Sequence, residues 1–184
     1  MQVIPQEIPE LLLIEPKVFG DARGYFKETF HAERYAAAGM ALPFVQDNVS
    51  RSRRGILRGL HMQNPYSQGK LVSVLEGEVY DVAVDVRLGS PTFGRWVGML
   101  LSAENHRQFY VPPGFAHGFC VTSEVADVAY KCSSYYDAAT ESGIAYDDPA
   151  IGIEWPIGVE PIVSERDATA PRLGDVASTL PFRV

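Results

Sequence analysis

An arginine, a histidine and a lysine lie close together between Arg58-Gly59-Leu60-His61 and Gln68-Gly69-Lys70, just ahead of the apolar run Leu71-Val72-Ser73-Val74-Leu75. The planar guanidinium of Arg grips phosphate with paired hydrogen bonds. Imidazole moves a proton near neutral pH, and an ammonium stabilises an oxygen that is gaining negative charge. Gly59, Pro65 and Gly69 suit tight bends, and the run after Lys70 reads as a buried strand, so this chemistry is expected at a strand mouth. Alone, the cluster does not make a site, because Arg and Lys are normally solvated and a single His is commonly a satisfied surface or core residue.

Other stretches add candidates. Pro112-Pro113-Gly114-Phe115-Ala116-His117-Gly118-Phe119 reads as a rigid turn that delivers a second histidine to the start of a strand over His117 to Val121. Farther on, Ala126, Val128, Tyr130, Cys132 and Ser134 share one face of a strand, which turns Tyr130 inward with apolar neighbours. A buried tyrosine hydroxyl needs a partner, and the plain expectation is a core tyrosine with one hydrogen bond. Glu28 lies between Phe26 and Phe30 on one strand face, at a sheet edge or lining a wet cavity.

The elements that must hold these groups are short. Leu11 to Ile14, Lys17 to Phe19, Gly24 to Phe30 and Phe44 to Ser50 read as extended segments, and His31 to Ala38, closed by Gly39, as the one clear helix. Arg51, Arg53 and Arg54 are expected in a solvated loop. After a hairpin turn at Glu76-Gly77-Glu78, residues Val79 to Arg87 alternate. Tyr80, Val82, Val84 and Val86 lie on one side; Val79, Asp81, Ala83, Asp85 and Arg87 lie on the other, facing solvent or a polar interior cavity. Arg95 to Leu101 is a further strand. From Asp137 onward prolines break the pattern, Trp155 is expected to anchor the chain to the core, and Ser164-Glu165-Arg166-Asp167 reads as a solvated turn. Many short strands with regular turns predict an all-β fold, a jelly-roll sandwich or barrel with a few short peripheral helices.

A chain of 184 residues fits one domain, expected over 1–184. Its formal charge of -7 argues against general attraction to nucleic acid or anionic membrane, so an anionic ligand would need a local basic pocket. No stretch approaches the roughly 18 apolar residues of a membrane span, and Met1 to Pro5 lacks the pattern of a signal peptide, so a cytoplasmic protein is expected. Cys120 and Cys132 read as buried thiols without chemistry. The four histidines are His31, His61, His106 and His117, and none are spaced to offer two imidazoles from one strand face. No metal is expected.

Together the motifs are specific. Asp21 to Glu28, Gln46-Asp47-Asn48, Arg58 to His61, Gln68-Gly69-Lys70, Pro112 to Phe119 and Ser164 to Asp167 occur in the order found in the dTDP-4-dehydrorhamnose 3,5-epimerase family, and the sequence resembles that family from near Val3 to about Pro181. The resemblance implies a cupin-fold, metal-free and cofactor-free epimerase. It would act on dTDP-4-dehydro-6-deoxy-D-glucose at C3 and C5, in dTDP-L-rhamnose synthesis. It implies a homodimer with exchanged N-terminal strands. By the same resemblance His61 is the base, Tyr130 the acid, Asp167 the partner of the base, and Lys70 the group near the keto oxygen. Arg23, Phe26, Glu28, Gln46, Asp47, Asn48, Arg58, Lys70, His117, Glu141 and Arg166 fall at substrate contacts. Two residues depart from the pattern: Met62, where relatives usually carry an aromatic residue, and Arg166, where lysine is common.

These roles are chemically coherent. The C4 ketone acidifies the hydrogens on both neighbouring carbons through an enolate, and inversion requires a proton removed from one face and returned on the other. Strict alternation would place Arg58 and His61 on opposite faces of one strand, so a bulge is expected near Gly59, or a reach around the strand edge. The alternatives are an epimerase that inverts one centre and a sugar-nucleotide-binding protein without catalysis.

Overall fold

In the computed structural model, which describes residues 1–40, 43–65, 67–180 and 182, most of the alternating segments become strands of two facing antiparallel sheets. The first sheet runs β1 (Gln2–Pro5), β2 (Leu12–Glu15), β10 (Gln108–Val111), β7 (Lys70–Glu76), β12 (Val125–Cys132), β5 (Gln46–Arg53). The second runs β13 (Glu141–Gly143), β6 (Leu57–Gln63), β11 (Phe115–Val121), β8 (Glu78–Asp85), β9 (Trp96–Ser102). A separate hairpin joins β3 (Val18–Asp21) and β4 (Gly24–Lys27). The expected jelly-roll sandwich is present.

Alternation explains the layers. Val72 and Val74 of β7, Phe109 and Val111 of β10, and Ala126 and Val128 of β12 point inward. They meet Val79 and Ala83 of β8 and Phe115, Phe119 and Val121 of β11 in one apolar core. The opposite face of the second sheet is covered as well, and that of the first sheet in part. On the second sheet, Leu60, Val82, Val84 and Ala116 pack beneath Ile144, Ile151, Leu173 and Leu180 of the C-terminal segment. Trp155 joins that layer and donates its indole N–H to the Tyr146 carbonyl at 3.0 Å, as an anchor should. Both sides of β8 are therefore buried, and its carboxylates lie inside: Asp81 and Asp85 are each fully enclosed. Asp85 is held by Arg87, Ser90 and Thr92.

Helix α1 (Ala32–Ala37) starts at His31, whose ring accepts from the Arg34 amide, and covers one end of the outward face of the first sheet through Tyr35. The other end of that face stays open, with Val49 and Leu75 exposed. Several expectations change. Arg51 and Arg53 are not in a loop but extend β5, where Arg51 pairs with Glu76 and Asp127. β4 stops at Lys27, and Glu28 beyond it pairs with Arg34. Ser164 to Asp167 is not a solvated turn but the start of α2 (Glu165–Ala168). The Ser164 hydroxyl caps it by accepting from the Asp167 amide at 3.1 Å. Two further one-turn helices, α3 (Leu173–Val176) and a 3-10 turn (Ala177–Thr179), follow. β1 and β13 had no alternation long enough to read.

Candidate active site

The site begins with a defect in β6. Opposite His117 and Phe119 of β11 stand His61 and Arg58, so β6 spends three steps where β11 spends two. The extra residue is accommodated at Gly59, which has φ 138°, and a Cβ there would lie 2.6 Å from the Gly118 Cα. Only glycine fits, and the expected bulge puts Arg58 and His61 on the same inward side. His61 and His117 then stand as cross-strand neighbours within the strands rather than at a strand mouth.

Across the sandwich the first sheet supplies the opposite wall. Lys70 and Cys132 pair directly across β7 and β12, and Tyr130 pairs with Asn48 of β5. Inward-facing Gln46, Asn48 and Ser50, Lys70, Tyr130 and Cys132 thus oppose Arg58, His61, His117 and Phe119 around a cleft of about 400 Å³. Tyr136 and Glu141 stand among its lining residues.

Two imidazole–carboxylate pairs back the second sheet's wall. His61 Nε2 lies 2.6 Å from Asp167 Oδ1, and Asp167 is only 6% exposed. The other carboxylate oxygen accepts from the Gly59 amide at 3.4 Å. Burial by itself would raise the Asp167 pKa, but the bonds from His61, Gly59 and Ser164 outweigh it and hold the carboxyl below its usual range. His117 Nε2 lies 2.8 Å from Asp81 Oδ1. Burial lowers the His117 pKa against the pull of Asp81, with Lys70 and His61 adding to the fall, so this ring is neutral near pH 7. The second oxygen of Asp81 has no partner among the described residues.

On the facing wall, burial lowers the Lys70 ammonium, opposed by Cys132, Asp81 and Glu141. Burial raises Tyr130, with Cys132 and Glu141 acting in the same direction and Arg58 against it, so the phenol stays protonated well past neutral pH. Tyr130 packs against the edge of the core, as its position predicts, without the single hydrogen bond expected of it. It lines the cleft, and among the described residues its hydroxyl has no hydrogen-bond partner. Glu141 accepts from the Tyr136 hydroxyl at 2.8 Å and from the Arg166 guanidinium. A second guanidinium nitrogen of Arg166 donates to the Glu141 carbonyl at 2.9 Å.

Of the residues named from sequence, the fold brings Gln46, Asn48, Arg58, His61, Lys70, His117, Tyr130 and Glu141 to the cleft, with Asp167 behind His61 and Arg166 on Glu141. Four lie elsewhere in this chain. Asp47 faces out of β5 and pairs with Lys131. Arg23 and Phe26 lie on the β3–β4 hairpin, where Arg23 pairs with Asp21 and Phe26 is 68% exposed. Glu28 pairs with Arg34. Strand alternation carried signals that were not used: Ser50 follows Asn48 at the inward spacing, Cys132 follows Tyr130, and Asp81 lies on the polar side of β8. Phe119 follows His117 and Gln63 follows His61 at the same spacing, whereas Met62, Gln68 and Tyr136 had no such signal. Among the described residues no group of three or more His, Cys, Asp or Glu side chains could hold a metal ion.

Comparison with known proteins agrees with this architecture. A family model described as dTDP-4-dehydrorhamnose 3,5-epimerase matches residues 5–175. The sequence is 52% identical over 177 residues to the dTDP-4-dehydrorhamnose 3,5-epimerase of Shigella flexneri, covering 95% of this chain and 97% of that one. The fold superposes with a TM-score of 0.96 on a dTDP-6-deoxy-D-glucose-3,5-epimerase from Legionella pneumophila Philadelphia 1, solved with dTDP-4-keto-L-rhamnose, at 56% identity over 98% of this chain and 97% of that one. It also superposes, at 37% identity and a TM-score of 0.91, on a 3'-monoepimerase from Streptomyces bikiniensis solved with dTDP-quinovose, over 98% and 92% of the two chains.

Proposed function

The chain belongs to the dTDP-4-dehydrorhamnose 3,5-epimerase family, and from that premise we infer that it inverts C3 and C5 of dTDP-4-dehydro-6-deoxy-D-glucose, giving dTDP-4-dehydro-L-rhamnose for dTDP-L-rhamnose biosynthesis. One observation carries the mechanism: His61 and Tyr130 stand on opposite walls of one cleft that also contains Lys70. A sugar ring between those walls meets a base on one face and a protonated phenol on the other.

The steps follow from ordinary acid–base chemistry. The C4 carbonyl withdraws electrons from both adjacent C–H bonds, so the ketone itself supplies the acidity and the reaction is written without a cofactor. With Nε2 held by Asp167, the free Nδ1 of His61 is the atom that takes the proton from carbon. Ionised Asp167 keeps the ring in that tautomer and offsets the charge that the ring acquires. Lys70 donates to the C4 oxygen as it becomes an enolate, a contact stronger in the transition state than in the ground state. Tyr130 returns a proton from the far side, and repetition at the second carbon completes the reaction. Arg58 offers a guanidinium to the diphosphate, which resolves how a chain of charge -7 takes an anion.

Arg23, Phe26 and Glu28 make substrate contacts in this reading only if a second copy of the chain brings them, while Asp47 sits on β5 between the cleft residues Gln46 and Asn48. A homodimer with exchanged N-terminal strands is therefore part of the proposal. The separate β3–β4 hairpin, with Phe19, Tyr25 and Phe26 each more than half exposed, and the open sheet face at Val49 and Leu75 support it.

Turnover of the dTDP-ketosugar in deuterated water tests the reaction. Deuterium at both C3 and C5 of the product is expected. Exchange at one carbon alone would establish instead a single-centre epimerase, the reading favoured by the likeness to the 3'-monoepimerase. His61→Ala should cost on the order of 10²- to 10⁴-fold in kcat. Ordinary turnover in that variant rules out the assigned base.

A further inference from the structure

The β3–β4 hairpin pairs only with itself, and a two-stranded hairpin has marginal stability on its own, so its direction depends on what it touches. Beyond its immediate flank, the hydrogen bonds and ring contacts that tie it to the rest of the chain converge, among the described residues, on His106 in the turn before β10. Lys27 Nζ lies 3.1 Å from His106 Nδ1, and the Tyr25 ring packs on the imidazole with centroids 4.7 Å apart. Lys27 Nζ in turn lies 5.8 Å from the centre of the Tyr25 ring. Three side chains thus close on one another where the hairpin meets the body of the chain.

The turn is built to present that ring. His106 has φ 58°, and it is the one non-glycine residue with a positive value among the described residues. Its amide donates to the Ser102 carbonyl at 3.1 Å, and the Asn105 Oδ1 braces both sides by accepting from the Ser102 and Arg107 amides at 3.0 Å each. Lys27 and Tyr25 face the ring from β4. On the ring's own segment Arg107 turns away to Glu15 of β2, which leaves Lys27 as the charge that acts on the imidazole. An ammonium only donates, so the contact exists only while Nδ1 keeps its lone pair. A proton on Nδ1 removes the acceptor and sets two positive charges side by side. On these grounds we propose that His106 is the positioning residue of the hairpin: as acceptor for Lys27 it aims Arg23 and Phe26 at the cleft of a second copy, and when protonated it releases them. The inference deepens the proposed function and rests on its partner-delivered contacts. Burial first, and Lys27 after it, lower the imidazole below the ordinary 6.5, so the release falls below that pH. Affinity for the sugar nucleotide then declines as pH drops, while turnover at saturation does not change.

The test compares the unaltered protein with His106→Ala and with His106→Gln, whose amide oxygen can accept from Lys27 and does not titrate. Calorimetry reads the Kd for dTDP-glucose, a diphosphate diester that does not ionise between about pH 5.5 and pH 8. Hydrogen–deuterium exchange reads the amides of residues 18–27 in the same samples. At about pH 8 the unaltered and Gln proteins should bind alike and the Ala variant about threefold more weakly, the scale of one exposed polar contact. At about pH 5.5 the unaltered protein should bind about threefold more weakly than the Gln variant, with faster exchange in its hairpin. The groups of the cleft titrate alike in these proteins and cancel in the ratio. Lys27→Met should abolish the pH response, and kcat should stay within about twofold in every variant. An affinity ratio of unaltered to Gln protein that is the same at both pH values overturns the role of His106 and leaves the proposed function standing. Equal hairpin exchange in those two proteins at the lower pH overturns it as well. Failure of all the proteins to bind dTDP-glucose at either pH refutes the proposed function itself, and the delivery of contacts with it.

Discussion

His61 lines the cleft with its Nε2 held by Asp167, whereas His117, its cross-strand neighbour, is sealed at 6% exposure over a fully buried Asp81. Neighbouring imidazoles thereby sit in different surroundings: one lines the cleft beside an acidic partner, the other is kept neutral by burial. His117 has a measurable consequence for stability. Its folded pKa lies below the ordinary 6.5, with Asp81, Lys70 and His61 facing it, so as pH falls the unfolded chain takes up this proton before the folded chain does. Stability is expected to decline as pH drops from about 6.5 toward the folded value, with a slope of at most about 1.4 kcal/mol per pH unit from this group. Asp167 acts in the same direction at more acid pH. Its carboxyl is held below 3.8, and that stabilisation is lost as pH falls through the folded value. Thermal melts of the unaltered protein and of His117→Gln between pH 7 and pH 5 would check this, the variant showing the shallower loss.

At the level of the element, one bulge decides whether β6 carries a site. Without the extra residue, Arg58 and His61 would face opposite layers, one of them into the apolar packing of Leu60, Val82 and Ile144. Gly59→Ala is therefore expected to destabilise by about 1–3 kcal/mol through backbone strain at φ 138° and to displace β6 from Gly118. Urea denaturation should show the lower midpoint, and turnover should fall by more than the loss of folded protein explains. Equal losses would mean that the bulge serves stability alone. Alternation and turn chemistry made most strands legible, and the clash between Arg58 and His61 on one strand made the bulge legible as well. β13 and α2 were not, because three and four residues are too few to show a period. Yet these two elements carry Glu141, Arg166 and Asp167.

For the whole molecule, the outward face of the first sheet is the open question of assembly. α1 covers one end of it, and Val49 and Leu75 are left 64% and 53% exposed at the other. A second copy covering that end would bury both and bring a partner's hairpin within reach of this cleft. Sedimentation should give a dimer, and Val49→Asp with Leu75→Asp should give a monomer that keeps its fold by circular dichroism but needs more substrate to reach half-maximal rate. A monomeric unaltered protein with full activity would remove the partner from the site.

Much of this protein was written in its order of residues. Periods of two gave strands and their inward faces, Gly59 gave the bulge, and the spaced motifs gave the family, because each depends on neighbours a few positions apart. Which distant groups meet came from the sequence only through the family resemblance, and their geometry came only from the folded chain. Asp167 reaches His61 from more than a hundred positions away, and Asp81 lies under His117 rather than in solvent. Tyr130 faces His61 from the other sheet. Those meetings depend on how two sheets stack and on where a one-turn helix is tied down, and no local period in the chain encodes either.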